Sequence, residues 1–131
     1  MPITSSTEST FKNAEADLAI AYLILENPRE NLFGIACFHI HQAVEKYLKG
    51  YLLHTGEQPP LIHDLKILLD RCIKHNGSLS EFSDTCKELN PYYIETRYEP
   101  GSPKDFTHEE AEEIYQKAEK IINYIKSSLD I

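Results

Sequence analysis

Apolar residues recur along this chain at alternating steps of three and four, the spacing of one face of an α-helix. In residues 7–27 the stripe is Phe11, Ala14, Leu18, Ala21 or Tyr22, and Leu25. It predicts a helix that stops before Asn27-Pro28, because proline disfavours helical backbone in the residue before it. Residues 31–55 carry the longest stripe, Phe33, Cys37, Ile40, Val44, Tyr47 and Tyr51, with Gly56 as its stop. A third helix is predicted over 63–75 on Leu65, Leu68, Leu69 and Cys72. A fourth is predicted over 80–89 on Phe82, Cys86 and Leu89. The last opens at Thr107, with Glu110 three residues on as a capping box, and Phe106 can reach back to Ala111. Its stripe is Ala111, Ile114, Ala118, Ile121, Ile125 and Leu129.

No alternating strand pattern and no repeat interrupts these stripes. The fold class expected is all-α, an antiparallel up-and-down bundle of four to five helices, because the connections are short. A chain of 131 residues is expected to form one domain over 1–131, with the polar residues 1–6 as a flexible N-terminus. The long connection, 90–106, is of a length that often carries function.

Composition narrows the function. Lys and Arg number 13 against 21 Asp and Glu, a net charge of -8, which argues against a general nucleic-acid coat and an anionic membrane surface. A local basic patch is not excluded by that balance. Three cysteines, Cys37, Cys72 and Cys86, lie on apolar stripes with no C-x-x-C pair, so neither a disulfide framework nor a thiol-rich zinc site is expected. The polar start of the chain is not expected to be a signal peptide, and the longest apolar run, Leu18 to Leu25, is too short to span a bilayer. A cytoplasmic protein without membrane contact is expected.

The second helix also carries a polar face. His39, Gln42, Lys46 and Lys49 step by three, four and three, about 170° from the apolar stripe. Ile35, Phe38 and Leu53 lie on the same side, more apolar surface than a solvated face usually carries. Self-association, a ligand groove and plain surface all remain open for it. His39 and His41 sit about 200° apart on a helix and cannot chelate one metal, so no metal site is expected. His63-Asp64 begins the third helix, where Asp64 favours the helix dipole and His63 can turn toward the 90–106 connection. That connection holds Tyr92, Tyr93, Glu95, Thr96, Arg97 and Tyr98. Arg97 can grip a phosphate bidentately and the tyrosines can stack on bases. Equally, the tyrosines can staple the connection to the bundle while Arg97 clamps a carboxylate. Phosphate-binding glycine loops and the common hydrolase motifs are absent from the sequence.

The run FHIHQAVEKYLKGYLLHTGEQPPLIHDLKILL, followed by YYIETRY, resembles the HEPN domain (higher eukaryotes and prokaryotes nucleotide-binding). The likeness rests on Ala16, Asp17 and Leu18; on His39, Gln42, Ala43, Glu45, Lys46 and Lys49; on His63-Asp64-Leu65; and on Arg97-Tyr98. The resemblance implies a helical bundle that dimerises and, for small prokaryotic members, a partner nucleotidyltransferase. Such pairs often act as toxin and antitoxin, with the HEPN member a metal-independent ribonuclease. It implies no cofactor. Family ribonucleases carry an Arg, four to six residues, then a His near the final helix. Here ten residues separate Arg97 from His108, and three separate Arg71 from His75.

Metal-free RNA cleavage needs a base for the 2′-hydroxyl and a cation for the charge that develops on phosphate. Arg97, Tyr98 and His63 are the residues expected to carry it. His39, Gln42, Lys46, Lys49, Asp64 and Tyr93 are expected to bind. Three readings follow: a dimeric nucleotide- or RNA-associated module working with a nucleotidyltransferase, a ribonuclease toxin, and a structural helical protein.

Overall fold

The computed structural model describes residues 2–93 and 106–131. Arg97 and Tyr98, with Glu95 and Thr96, lie outside the described residues. Five α-helices and no strand occur among those described: α1 (Ser5–Glu26), α2 (Phe33–Thr55), α3 (Leu65–Ile73), α4 (Ser83–Leu89) and α5 (His108–Ser128). Short 3-10 turns at Glu30–Leu32, Gly77–Phe82 and Asn90–Tyr92 lie between them.

Local chemistry sets the ends. The Thr4 hydroxyl accepts from the Thr7 amide, so α1 starts at Ser5, inside the stretch 1–6 expected to be a flexible N-terminus. Asn27 closes α1 by donating from its side chain to the Leu23 carbonyl, and Pro28 follows. Gly56 ends α2 in the left-handed region, φ 92°, where a side chain is disfavoured. The reciprocal Thr107–Glu110 capping box opens α5 as the sequence predicts. The helix predicted over 80–89 is 3-10 in its first part, because the Asn76 side chain accepts from the Ser78 amide and starts a tighter turn at Gly77.

Contacts give the directions. Asp17 meets Lys46 and Phe11 stacks on Tyr47, so α1 and α2 run antiparallel. His108 meets the Leu25 carbonyl and Lys126 meets Glu15, so α5 is antiparallel to α1 as well. After Gly56 the chain doubles back: His63 touches Glu45, about 16 Å down α2 from Gly56 at helical rise. The three cysteines are buried, and burial pushes their thiols up to about 12.

Every residue of α2 from Phe33 to Thr55 is buried or half-buried. The polar face of this helix is covered on one flank by α1, through Asp17, and on the other by the 56–64 connector, through His63. The chain itself therefore supplies part of the cover that the apolar residues on that face led one to expect. No described helix is long and apolar enough to cross a membrane.

Candidate functional site

A carboxylate lies in the middle of α2, 4% exposed: Glu45. Helical spacing puts His41 one turn before it and Lys49 one turn after it, on the same side. Lys49 Nζ donates to Oε2 at 3.0 Å. His63, delivered by the doubling-back connector, places Nδ1 3.0 Å from both carboxylate oxygens. His41 Nδ1 stands 3.8 Å from Oε1, beyond hydrogen-bond range. One buried charge thus faces three basic side chains, the kind of compensation a desolvated carboxylate requires.

The roles of the His63 nitrogens follow from the partner. A carboxylate only accepts, so Nδ1 carries the hydrogen. Nε2 has no bonding partner among the described residues, and the side chain is 47% exposed. Tyr93 lies face-on over this ring, centroids 4.7 Å apart, and over His41 at 5.7 Å. His41 is fully buried, and among the described residues neither ring nitrogen has a hydrogen-bond partner. Burial pushes it down to about 4, only partly countered by the nearby Glu45 charge.

Asp64 is the N-cap of α3, its Oδ1 accepting from the amides of Lys66 and Ile67. Asn90 locks it from the other side, donating to Oδ1 while its own Oδ1 accepts from the Leu65 amide. The Asn90 bond above all holds the Asp64 carboxyl below its ordinary value. An open pocket lies alongside, lined by Ile62, His63, Asp64, Ile67, Asn90, Pro91 and Tyr93.

The other end of the polar face is a second cluster. His39 Nδ1 lies 2.8 Å from Asp17 Oδ1, and Lys46 Nζ donates to Oδ2 at 2.6 Å. Burial alone would raise the Asp17 carboxyl, but the bonds from His39 and Lys46 outweigh it and hold it low. Gln42 sits half-buried on the helix between the two clusters.

The expected site residues therefore divide. His63, Asp64 and Tyr93 line the pocket, Lys49 is bonded to Glu45, and His39 and Lys46 are tied to Asp17. Glu45, His41, Asp17 and Asn90 organise these clusters without being expected as site residues. The available signal was a His, Glu and Lys at successive four-residue steps, His41-Glu45-Lys49, beside an apolar stripe. Among the described residues no group of three or more His, Cys, Asp or Glu is placed to hold a metal ion.

Comparison with known proteins gives one family. The model of the HEPN domain matches residues 7–128. The crystal structure of TT1696 from Thermus thermophilus superposes with a TM-score of 0.81 at 29% identity, covering 95% of this chain and 98% of that one. The crystal structure of ST0689, described as an archaeal HEPN homologue, superposes with a TM-score of 0.73 at 25% identity, covering 93% and 96%. No curated protein matches the chain significantly.

Proposed function

The chain belongs to the HEPN domain family, and from that premise we propose that it is a dimeric RNA- or nucleotide-associated module working with a partner nucleotidyltransferase in a toxin–antitoxin type of pair. The observation that carries this reading is the His63–Tyr93 stack at the edge of an open pocket, with Lys49 held on the same Glu45 carboxylate as His63. Aromatic faces of this kind take single-stranded bases, and each stacked base typically contributes about 1–3 kcal/mol. Lys49, bonded to the same Glu45 carboxylate as His63, is the cation of this cluster.

The electrostatics set the character of the binding. Two chains carry -16, twice -8. A general phosphate grip is opposed by that field, so binding is local, weak and strongly dependent on salt. Half-buried Ile35 and Phe38 on α2, with Ile20 of α1 40% exposed, offer an apolar surface for the second copy.

The experiment is a fluorescence-polarisation titration with a short single-stranded RNA of mixed sequence and with ATP. Tyr93→Ala and Lys49→Ala should each weaken the binding seen with the intact chain. Equal binding by both variants would remove the pocket from the account. Expression in bacteria with and without the nucleotidyltransferase gene, where one adjoins, tests the pairing: growth arrest relieved by the neighbour is the expected result.

A further inference from the structure

We propose that the groove between α1 and α5 is a docking site for a basic amphipathic helix of another protein, with an arginine of that helix on Glu119 and its apolar side chains against Tyr22 and Tyr115. This does not rest on the reading of the His63 pocket, which neither α1 nor α5 lines.

The groove follows from how the two helices are tied. At one end His108 meets the Leu25 carbonyl at 2.8 Å, and at the other Lys126 meets Glu15 at 3.0 Å. Those ties are ten residues apart on α1, about 15 Å of helix. Between them lies an open cavity of about 420 Å³. Leu18 and Ile122 form its buried floor, and Ala19, Tyr22, Leu23 and Tyr115 form its sides. A channel between two antiparallel helices is shaped for a third, laid along it with side chains one turn apart.

The sides of the groove are apolar and open. Tyr22 is 50% exposed and Leu23 is 61% exposed. Of the two residues that could continue the α1 stripe, Ala21 is the buried one and Tyr22 is left for the groove. The Tyr22 and Tyr115 rings stand 6.4 Å apart at a tilt of 47°. Exposed tyrosines are favoured at protein interfaces, because each brings a rigid apolar body and one hydroxyl.

Charge selects the occupant. Among the described residues Lys126 is the one cation lining the groove, and Glu15 already holds it. Glu119 also lines the groove, half-buried, with no ion-pair partner among the described residues. Burial, and then the charges of Glu119 and Glu15, push the Tyr115 hydroxyl up, so the negative field reaches the aromatic side. An arginine suits both groups at once, bonding the carboxylate and lying on a ring face. The same field disfavours other occupants. A second copy set on this groove by a two-fold axis brings Glu119 toward its own equivalent, between chains of -8 each. Nucleic-acid phosphates and anionic lipid also meet like charge here.

The test uses the full chain and a synthetic helical peptide of about four turns, with leucines one turn apart and arginines beside them. Fluorescence anisotropy compares it with a peptide of the same composition in scrambled order and with one carrying Glu for every Arg. The basic amphipathic peptide should bind, and the other two should bind at least about tenfold more weakly. Glu119→Lys and Leu23→Glu should each weaken the amphipathic peptide by at least about tenfold, as losing one interface anchor does. Leu23 is exposed, so Leu23→Glu should keep the parent melting temperature, and it decides alone should Glu119→Lys not fold. Equal binding of the scrambled peptide, or full binding by a folded variant, overturns the proposal. No binding by any of the peptides overturns it too. A fall to single-chain mass in Leu23→Glu, measured by sedimentation, gives the groove to a second copy and likewise overturns it.

Discussion

Asp17 of α1 and Lys46 of α2 meet at 2.6 Å, and His39 holds the other oxygen of the same carboxylate at 2.8 Å. This three-way contact ties the two helices together beside their shared core. Asp17→Ala removes the acceptor and leaves two donors without a partner. Because Lys46 and His39 still reach solvent, the cost falls short of that for a sealed ion pair, about 1–3 kcal/mol. Urea unfolding at neutral pH measures it; an unchanged midpoint would show that the contact contributes nothing.

The acid limb of stability follows from the same residue. Asp17 and Asp64 are held below their ordinary values in the folded chain, so the unfolded chain binds protons first as pH falls. Their contribution is complete above about pH 4 and is lost as pH falls further, through their folded values. In Asp17→Asn the loss of stability below that pH should be shallower than in the parent.

His41 acts in a higher window. Its folded value is pushed down to about 4, below the ordinary value of about 6.5 for an unfolded histidine. The folded chain therefore keeps it neutral, and its contribution is present above about pH 6.5 and drains away toward pH 4. The size is about 3 kcal/mol across that window. His41→Phe should flatten the loss between pH 6.5 and 4 in paired urea titrations. A variant with the parent's slope there would show that His41 is not the titrating group.

Gly50 of α2 packs against the Phe11 ring. A Cβ there would come within 2.9 Å of Phe11 Cδ1 and closer still to Cε1. The ring has little room to yield, being 6% exposed and stacked on Tyr47 at 4.8 Å. Gly50→Ala gains about 1 kcal/mol of helix propensity and loses about 1–3 to overpacking, so a net loss is expected. In the Phe11→Leu background the same change should cost less, and a double-mutant cycle reads the difference.

The helices were legible because burial imposes a period: each residue of the α2 stripe, from Phe33 to Tyr51, is in the core. Caps were legible where one residue suffices, as at Gly56 and Thr107. The site was only half legible. His63, Asp64, Lys49 and Tyr93 stand out as polar or aromatic groups at helix starts and connections. Glu45 and Asn90 do not, because their roles arise from a connector that turns back along α2, and nothing in local spacing reports that return. His41 lies beside Ile40 and Val44 of the apolar stripe and is buried with them.

The association state gives a separate check. Sedimentation or light scattering at micromolar concentration should report about 30 kDa, twice the chain mass of 15.1 kDa. Phe38→Asp should shift that value toward one chain, since a charge in an apolar interface is costly to bury. A single-chain mass for the unaltered protein at all concentrations would remove the second copy from the proposal.

The most direct test of the central claim is backbone NMR of the intact chain during titration with a short single-stranded RNA. The account expects the largest shifts in one contiguous set, Lys49, His63, Asn90 and Tyr93, weakening steeply as salt is raised. Shifts that leave this set untouched, or no shifts at all at low salt, would contradict it.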